Sequence, residues 1–408
     1  MEQTDIGERF TEASWLDKRC RSLVLGVFSK LSYGQLEVVE GTNHAHFPGH
    51  VVENSIQGKI HIHDPSVYRD FVKGGSIGAA EAFIEGKWSS PNLTQVIRIF
   101  AKAQQQTDSL EANKSWLNRL KNSVSHWQNR NTQSGSKRNI LAHYDLGNEL
   151  YTRFLDPSMM YSSAVYPTVN ATLDEAQQHK LTIICQRLDL TDKDHLLEIG
   201  TGWGGLAIYA AQHYGCQVTT TTISDAQYDF AKARVEALGL GDKITLLKED
   251  YRDLTGTYDK VVSVEMIEAV GYDYLPSFFK QCNDRLKIGG KLLIQSITIA
   301  DQRFDSYKSN VDFIQRYIFP GGFLPSINVL VQHLTDHSEL VVESLDDIGL
   351  DYAKTLAHWR DKFLVSWPEL LKFGYDDAFK RLWLYYFAYC EGAFLERSTS
   401  TVHLVARK

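Results

Sequence analysis

The sequence predicts an α/β protein in which helices cover both faces of a sheet, joined to a small N-terminal α/β or α+β domain. Between residues 193 and 300, short β-rich runs alternate with helical stretches, a pattern typical of a parallel sheet. A glycine-rich turn follows the first of these strands. The 408 residues also exceed the usual length of a single domain, which favours two domains.

Seven strands are predicted, each a short run rich in β-branched and aliphatic residues. In chain order they are 195–199, 217–223, 244–248, 260–264, 291–297, 340–344 and 399–406. Helices fill the intervals between the first five. An aromatic insertion, YIFPGGFLPS, follows the fifth strand.

The domain boundary is predicted near residue 130. The stretch NRNTQSGSKRN is polar and lacks hydrophobic periodicity, as linkers and exposed loops do. We therefore expect an N-terminal domain over 1–128, a linker over 129–140 and a larger second domain over 141–408.

Composition excludes several classes of protein. The chain is 43% hydrophobic and 23% charged, which excludes disorder, and no uninterrupted apolar run reaches the roughly 18 residues of a membrane-spanning helix. A net charge of −7 argues against nucleic acid as the main ligand. The five cysteines contain no C-x-x-C pair, and the first twenty residues are too acidic for a secretory signal, so a reduced, cytoplasmic protein is expected.

No metal site is expected. His44 and His46, like His61 and His63, form no metal-spaced set with acidic partners on a helix. The HIH run at 61–63 is instead predicted to alternate across a strand.

The stretch EIGTGWGG indicates a nucleoside cofactor. Gly200, Gly202 and Gly204 lie between a strand and a helix, where glycine lets the backbone approach a ligand closely. Dinucleotide enzymes use a similar turn, and such a turn can be purely structural. An acidic residue two positions before the first glycine, and the absence of GxGxxG spacing, favour S-adenosylmethionine. Asp250, after the third strand, is either an adenine-side acidic residue or a turn residue.

Further segments resemble one family, the cyclopropane-fatty-acyl-phospholipid synthases, which are kin to the mycolic acid cyclopropane synthases. The matching segments lie at 139–167, 264–271, 317–326 and 347–359, and residues 64–88 resemble the extra N-terminal domain of the bacterial phospholipid-modifying members. The resemblance implies a class I methyltransferase fold and transfer of a methyl(ene) group from S-adenosylmethionine to the double bond of an unsaturated phospholipid acyl chain. It also implies that the domain over 1–128 is lipid- or membrane-associated and that 141–408 is the catalytic domain.

The resemblance also implies which residues bind the cofactor. Besides the three glycines and Asp250, the implied positions are Tyr161, Ser162, Thr222, Ile223, Gln227 and Tyr251. The first two would lie against the cofactor, the next three near its ribose and Tyr251 beside its adenine.

The family's catalytic centre is a bound bicarbonate, and this chain departs from its pattern at two positions. The matching residues are Ser163, Glu268, Gln295, Ile297 and Tyr352. Ser163 replaces a cysteine whose main-chain N–H binds the anion. Gln295 replaces a histidine and cannot titrate near neutral pH. Aromatic faces such as Tyr144 and Tyr317 are candidates for stabilising a cationic intermediate.

The product depends on where the base lies. Loss of a proton from the transferred methyl closes a cyclopropane ring, whereas loss from the chain leaves a methyl-branched olefin or a methylene group. The resemblance favours the ring, peripheral contact with the inner face of the membrane and a homodimer. Two alternatives stay open: a small-molecule methyltransferase on the same scaffold, and a lipid-binding protein without chemistry, suggested by Gln295.

Overall fold

The computed structural model describes residues 13–49, 56–103 and 147–408. The chain forms two compact units. The first contains Met1–Ser115 and Gly374–Glu396, and the second contains Trp116–Phe373 and Arg397–Lys408. The predicted linker at 129–140 lies outside the described residues.

The first unit is a small α/β structure. Its sheet has the order β2-β1-β3-β4, with β1 and β3 parallel and the other pairs antiparallel. The strands are β1 (Gln35–Glu40), β2 (Asn43–Pro48), β3 (Gln57–Ile62) and β4 (Trp88–Ser89), and the helices that precede the second unit are α1 (Trp15–Phe28), α2 (Val67–Ile84) and α3 (Leu93–Lys102).

A C-terminal helix belongs to this first unit, which differs from the predicted catalytic domain over 141–408. The helix spans Asp377–Leu395. Polar contacts tie this part of the chain to the N-terminal helices: Thr94 Oγ1 donates to Glu391 Oε2 at 2.8 Å, and Arg98 Nε pairs with Glu396 Oε1 at 2.7 Å. Sequence order alone could not indicate this return of the chain.

Three aromatic residues of the segment 64–88 are buried inside the first unit. Tyr68 donates its hydroxyl to Glu40 Oε1 at 2.6 Å, and the Trp88 indole N–H donates to the Ala79 carbonyl at 2.8 Å. Phe83 packs edge-on against Trp88, with ring centroids 5.1 Å apart. These side chains form core contacts and are unavailable as a membrane-facing surface.

The second unit contains a seven-stranded sheet with helices on both faces, as the sequence predicts. The strands are β5 (His195–Ile199), β6 (Gln217–Thr221), β7 (Ile244–Leu247), β8 (Tyr258–Val264), β9 (Leu286–Ile299), β10 (Val341–Asp347) and β11 (Thr399–Arg407). The helices are α4 (Asn148–Phe154), α5 (Leu173–Arg187), α6 (Gly205–Tyr214), α7 (Asp225–Ala237), α8 (Leu275–Arg285), α9 (Phe304–Lys308), α10 (Phe313–Tyr317), α11 (Ile327–His337) and α12 (Gly349–Leu370). The helix of the first unit at Asp377–Leu395 is then α13.

The strand order creates a switch point beside β5. The order is β10-β11-β9-β8-β5-β6-β7, with β9, β8, β5, β6 and β7 parallel and β11 antiparallel to both of its neighbours. The chain proceeds outward from β5 to β7 on one side and then returns to β8 on the other. In open α/β sheets a crevice forms at the carboxyl ends of the strands at such a point.

Alternating residues of the strands supply two separate hydrophobic cores. Leu197, Val261 and Leu292 pack on one face with residues of α8 and α11. Their neighbours Leu196 and Val262 face the other way, against residues of α5 and α6. This period-2 alternation with both faces apolar explains the continuous hydrophobic runs of the strands. In the three described ranges, no helix is long and apolar enough to cross a membrane.

Candidate active site

The carboxyl ends of β5, β8 and β9 bring the predicted glycine loop and the predicted catalytic segment together. The loop begins at Gly200 directly after β5, and residues 265–268 follow β8 directly. Ser263 Oγ donates to the Ile199 carbonyl at 3.0 Å, which links the two strand ends. A Cβ at Gly200 would lie 3.1 Å from the Met266 side chain, so the loop and the second segment are in contact.

The loop glycines hold backbone conformations that side chains disfavour. Gly200, Gly202 and Gly204 have φ values of 104°, 52° and 85°. A Cβ on Gly204 would meet Ala231 at 3.1 Å, whereas a Cβ on Gly202 would meet nothing within 4 Å. The space beside Gly202 is therefore open to a ligand that approaches the backbone, and the loop fits a nucleoside cofactor such as S-adenosylmethionine.

The end of β6 lies beside this loop and carries the predicted ribose-side residues. Thr222 Oγ1 donates to Gln227 Oε1 at 3.0 Å and accepts from the Ser224 N–H at 3.1 Å. The N–H groups of Gly200 and Thr201 both donate to the Thr221 carbonyl, which attaches the loop to β6. Thr222, Ile223 and Gln227 thus share one short segment next to the glycines.

The adenine-side prediction is the least specific. Asp250 accepts from the Arg252 main-chain N–H at 3.0 Å and from its guanidinium at 2.8 and 2.6 Å, so it has the contacts of a turn residue. Tyr251 packs edge-on against Phe278, with centroids 5.6 Å apart, and burial raises the pKa of its hydroxyl to about 12. Contact of either residue with adenine stays a prediction.

Tyr161 lies in an aromatic cluster beside the glycine loop. Its ring centroid is 5.3 Å from those of Tyr151 and Trp359 and 6.3 Å from that of Phe319. Trp203 of the loop itself is 4.9 Å from Tyr151. Tyr151, Trp203 and Trp359 are buried, whereas Tyr161 and Phe319 are partly exposed, so these two rings are the part of the cluster that a ligand beside the loop could contact.

The two aromatic residues that the sequence suggested for a cation have different surroundings. Tyr317 packs against Phe313 with centroids 5.6 Å apart, and the Arg316 guanidinium lies 5.4 Å from its ring. Tyr144 lies outside the described residues.

Ser162 is bonded to a buried lysine. Lys180 Nζ donates to Ser162 Oγ at 2.7 Å, and the Lys180 side chain is fully buried. Burial lowers the pKa of Lys180 to about 8, because removal from solvent disfavours the ammonium form. The positive charge of Lys180 opposes the effect of burial on Glu265 by lowering its pKa.

Three of the five predicted catalytic residues converge on a carboxylate that the sequence did not single out, that of Glu265. The Ser163 N–H and Gln295 Nε2 donate to its Oε1 at 2.9 and 2.7 Å. The Tyr352 hydroxyl donates to its Oε2 at 2.9 Å. The donors that the resemblance implies for bicarbonate therefore hold a side-chain carboxylate.

The remaining two predicted residues form a second, adjacent group. Glu268 Oε1 accepts from the Ile297 N–H at 2.6 Å and from Ser296 Oγ at 3.1 Å. Glu268 Oε2 is buried and has no hydrogen-bond partner among the described residues. The five predicted residues thus lie in two adjacent groups. Three of them donate to Glu265, and the other two, Glu268 and Ile297, bond to each other.

The two carboxyl groups have different electrostatic environments. Burial and repulsion from Glu265 raise the pKa of Glu268 to about 8. Burial also raises the pKa of Glu265, but the Ser163 N–H, Gln295, Lys180 and Tyr352 oppose that rise. Environments that separate two neighbouring pKa values in this way assign a proton to one partner and a charge to the other. Here Glu265 has the carboxylate environment and Glu268 the protonated one.

A second residue missed by the sequence analysis, His403, orients Gln295. Arg187 Nη1 donates to His403 Nδ1 at 2.8 Å, and His403 Nε2 lies 2.8 Å from Gln295 Oε1. Burial, Arg187 and Lys180 lower the pKa of His403 to about 3, so the ring is neutral and donates through Nε2. The Gln295 amide oxygen therefore faces His403, and its NH₂ group faces Glu265.

The sequence contained a signal for Glu265, whereas His403 is marked only by the structure. Glu265 and Glu268 stand three residues apart in VEMIEAVG, directly after a predicted strand. Glu265 has a φ of 47°, unusual for a non-glycine residue and typical of functional sites. His403 lies in the last predicted strand, where it is paired directly with Gln295 in the sheet register.

The first unit contains one cluster that the sequence analysis did not anticipate. Glu37, His44 and His46 have potential ligand atoms within 4.8 Å of one another. They meet because β1 and β2 are antiparallel, with Glu37 opposite His46. Glu37 pairs with His44 Nδ1 at 2.7 Å and with Lys59 Nζ at 3.1 Å. These pairs explain why the side chains lie close together. In the HIH run, His61 is partly exposed and Ile62 is buried at the end of β3, as strand alternation predicts, whereas His63 lies just after the strand.

Comparison with known proteins identifies relatives of this chain. The family model described as mycolic acid cyclopropane synthetase matches residues 128–404. The cyclopropane-fatty-acyl-phospholipid synthase of Escherichia coli K12 is 36% identical over 352 residues, covering 86% of this chain and 87% of that protein. The tuberculostearic acid methyltransferase UfaA1 of Mycobacterium tuberculosis is also 36% identical, over 82% of this chain and 80% of that protein.

A solved structure with bound SAH has the same fold. The mycolic acid cyclopropane synthase CmaA1, complexed with SAH and CTAB, is 25% identical, with a TM-score of 0.62 over 67% of this chain and 98% of that one. The matched family model covers more than half of the chain, and the glycine loop, the strand order and the carboxylate site all lie within it. The chain belongs to the mycolic acid cyclopropane synthetase family of S-adenosylmethionine-dependent methyltransferases.

Proposed function

We propose that this enzyme transfers a methyl(ene) group from S-adenosylmethionine to the double bond of an unsaturated phospholipid acyl chain. The observation that carries the proposal is the contact between three features: the open backbone at Gly202, the aromatic cluster around Tyr161 and the buried carboxyl pair. A cyclopropane-fatty-acyl-phospholipid synthase and a tuberculostearic acid methyltransferase are each 36% identical to this chain.

Each feature meets a requirement of alkene methylation. S-adenosylmethionine, when bound, supplies an electrophilic methyl group. The glycine loop holds it against the backbone, and the aromatic cluster excludes water and holds the acyl chain close to it. The cation formed on the acyl chain is then stabilised by aromatic ring faces, each of which contributes about 0.5–2 kcal/mol. A base within the same cavity must remove a proton to complete the reaction.

We favour a cyclopropane ring as the product, with a methyl-branched product as the second candidate. The ring follows if the base reaches the transferred methyl group. The similarity to the tuberculostearic acid methyltransferase supports the branched product. Bicarbonate as the base stays a prediction, and three of its five predicted binding residues, Ser163, Gln295 and Tyr352, donate to Glu265.

A surface on α1 supports contact with a membrane. Trp15, Lys18, Arg19 and Leu23 share one face of the helix, at i, i+3, i+4 and i+8, with Trp15 68% and Leu23 62% exposed. The Arg19 guanidinium lies 4.7 Å from the Trp15 ring. An apolar and basic helix face of this kind fits the interface of an anionic bilayer. Homodimer formation and a cytoplasmic location stay predictions.

The proposed reaction is tested with purified protein, labelled S-adenosylmethionine and vesicles of monounsaturated phospholipid. Fatty acid analysis by mass spectrometry should show a gain of one methylene, and NMR of the product should distinguish ring protons from olefinic or branched-methyl protons. A protein that methylates a soluble amine and leaves the vesicle lipid unchanged would contradict the proposal.

Membrane contact is tested separately by sedimentation with anionic vesicles. Leu23→Ser combined with Lys18→Ser should weaken binding severalfold, whereas Leu238→Ser, on an exposed apolar residue of the second unit, should not. Point variants are preferable to deletion of the N-terminal domain, because deletion would also remove the partners of α13. Equal sedimentation of all three proteins would exclude α1 as the contact surface.

A further inference from the structure

We infer that the Glu265 carboxylate is the catalytic base of this enzyme and occupies the position that a bound bicarbonate would take. The inference rests on the proposed function, since it names the group that completes that reaction. It is carried by the three hydrogen bonds from Ser163, Gln295 and Tyr352, each 2.9 Å or shorter.

The donor set is saturated by Glu265. Gln295 Nε2 and the Ser163 N–H share Oε1, while the Tyr352 hydroxyl bonds to Oε2. A separate bicarbonate at these donors would be a second anion in contact with a buried carboxylate, which is strongly unfavourable. The Glu265 side chain thus provides the anion that the resemblance implies to be a bound bicarbonate ion.

The replacement of histidine by Gln295 follows from the same arrangement. A neutral amide held by His403 presents N–H groups to Glu265 and cannot take its proton. Gln295 therefore acts as a fixed donor to the Glu265 carboxylate. Glutamine in place of histidine at position 295 thus supports Glu265 as the base and does not weaken catalysis.

The backbone of Glu265 is arranged to aim the side chain. Its φ of 47° lies in the left-handed region, and its N–H donates to the Gln295 carbonyl at 2.8 Å. A non-glycine residue in this region is strained, and surrounding contacts must offset that strain. The Glu265 residue as a whole is only partly buried, whereas Ser163 and Gln295, which donate to its carboxylate, are fully buried.

The chemical step balances without another reagent. Methyl transfer to the double bond leaves a cation on the neighbouring chain carbon. A C–H bond of the new methyl group then breaks, its electron pair forms the third bond of the ring, and the proton passes to the Glu265 carboxylate. The resulting carboxylic acid releases that proton to solvent before the next turnover.

The test measures lipid product from wild-type protein in carbonate-depleted buffer, with and without added bicarbonate. We expect wild-type rates to agree within about twofold, because the base is part of the chain. Glu265→Gln keeps the shape of the side chain and should lower the rate by about 10²–10⁴-fold, as loss of a general base does. S-adenosylmethionine affinity, measured by calorimetry, should stay unchanged.

Two further variants sharpen the test. Glu265→Gly removes the carboxylate and relieves the left-handed φ, so bicarbonate should enter and restore part of the activity. The control Glu236→Gln, on the exposed face of α7, makes the same chemical change outside the site and should keep the wild-type rate.

The outcomes separate this inference from the proposed function. Absence of any lipid product from the wild type would overturn the proposed function. Product formation that requires bicarbonate in the wild type, or that persists in Glu265→Gln, would overturn the inference alone. If Glu265→Gln fails to bind cofactor, the bicarbonate response of the wild type still decides the question.

Discussion

The glycine loop and the carboxylate pair lie in contact but are built in opposite ways. The loop comes from one continuous stretch, 196–210, and its essential property is backbone shape. The carboxylate pair is held by residues from four distant stretches, near 163, 295, 352 and 403, and its essential property is hydrogen bonding. A local motif is visible in a sequence, whereas a site assembled from distant residues requires the fold.

The largest effect is expected where backbone shape is essential. Gly202→Val should abolish measurable S-adenosylmethionine binding, because a branched side chain would fill the open space beside the loop and adopt an unfavourable φ of 52°. Calorimetry on the folded variant measures this. Gly239→Val, at a glycine with a φ of 67° and similarly open space, controls for backbone strain alone. Undiminished affinity in Gly202→Val would separate the loop from cofactor binding.

The next effect tests the hydrogen bonds of the carboxylate pair. Gln295→Leu keeps the approximate volume of the side chain but removes its donor to Glu265. Loss of one hydrogen bond to a charged group costs about 1.5–3 kcal/mol, or roughly ten- to a hundred-and-fifty-fold in rate. Steady-state kinetics should show a lower kcat with an unchanged affinity for S-adenosylmethionine.

A variant of His403, the residue that orients Gln295, can be compared with Gln295→Leu. His403→Phe leaves the Gln295 amide in place but removes the partner of its oxygen, so the amide can rotate. We expect a loss smaller than that in Gln295→Leu. A His403→Phe loss equal to or larger than that in Gln295→Leu would mean that His403 acts by another route.

Prediction from the sequence succeeded where information is local. All seven strands of the second unit were placed, because apolar runs and glycine turns mark them directly. Glu268 and Tyr352 were singled out through a resemblance that implied contact with bicarbonate. In the structure the Tyr352 hydroxyl donates to Glu265, and Glu268 accepts from the Ile297 N–H. Glu265 escaped because its role depends on which donors reach it, and those donors lie about 30 to 100 residues away in the chain. The placement of α13 escaped for the same reason.

The pH dependence of stability tests the protonated member of the pair. Burial raises the pKa of Glu268 from its usual 4.5 to about 8, so its protonated form is the stable one in the folded protein. Stability from this group is fully present below the unfolded pKa and is lost as pH rises through the folded pKa. Between about pH 5 and pH 8, wild type should lose at least about 1 kcal/mol relative to Glu268→Gln. Urea unfolding at both pH values measures the difference, and parallel curves would show that Glu268 ionises normally.

The smallest effect is expected at Ser163, where main chain and side chain have separate partners. The Ser163 N–H donates to Glu265 at 2.9 Å, while its hydroxyl donates to the Ala164 carbonyl at 2.9 Å. Ser163→Ala removes the hydroxyl and keeps the N–H, so the rate should stay within about twofold of wild type and stability should fall by about 1 kcal/mol or less. Ser163→Cys should behave in the same way, since the main-chain donor is again unchanged. A loss above about tenfold in both variants would show that the Ser163 hydroxyl itself contributes to the reaction.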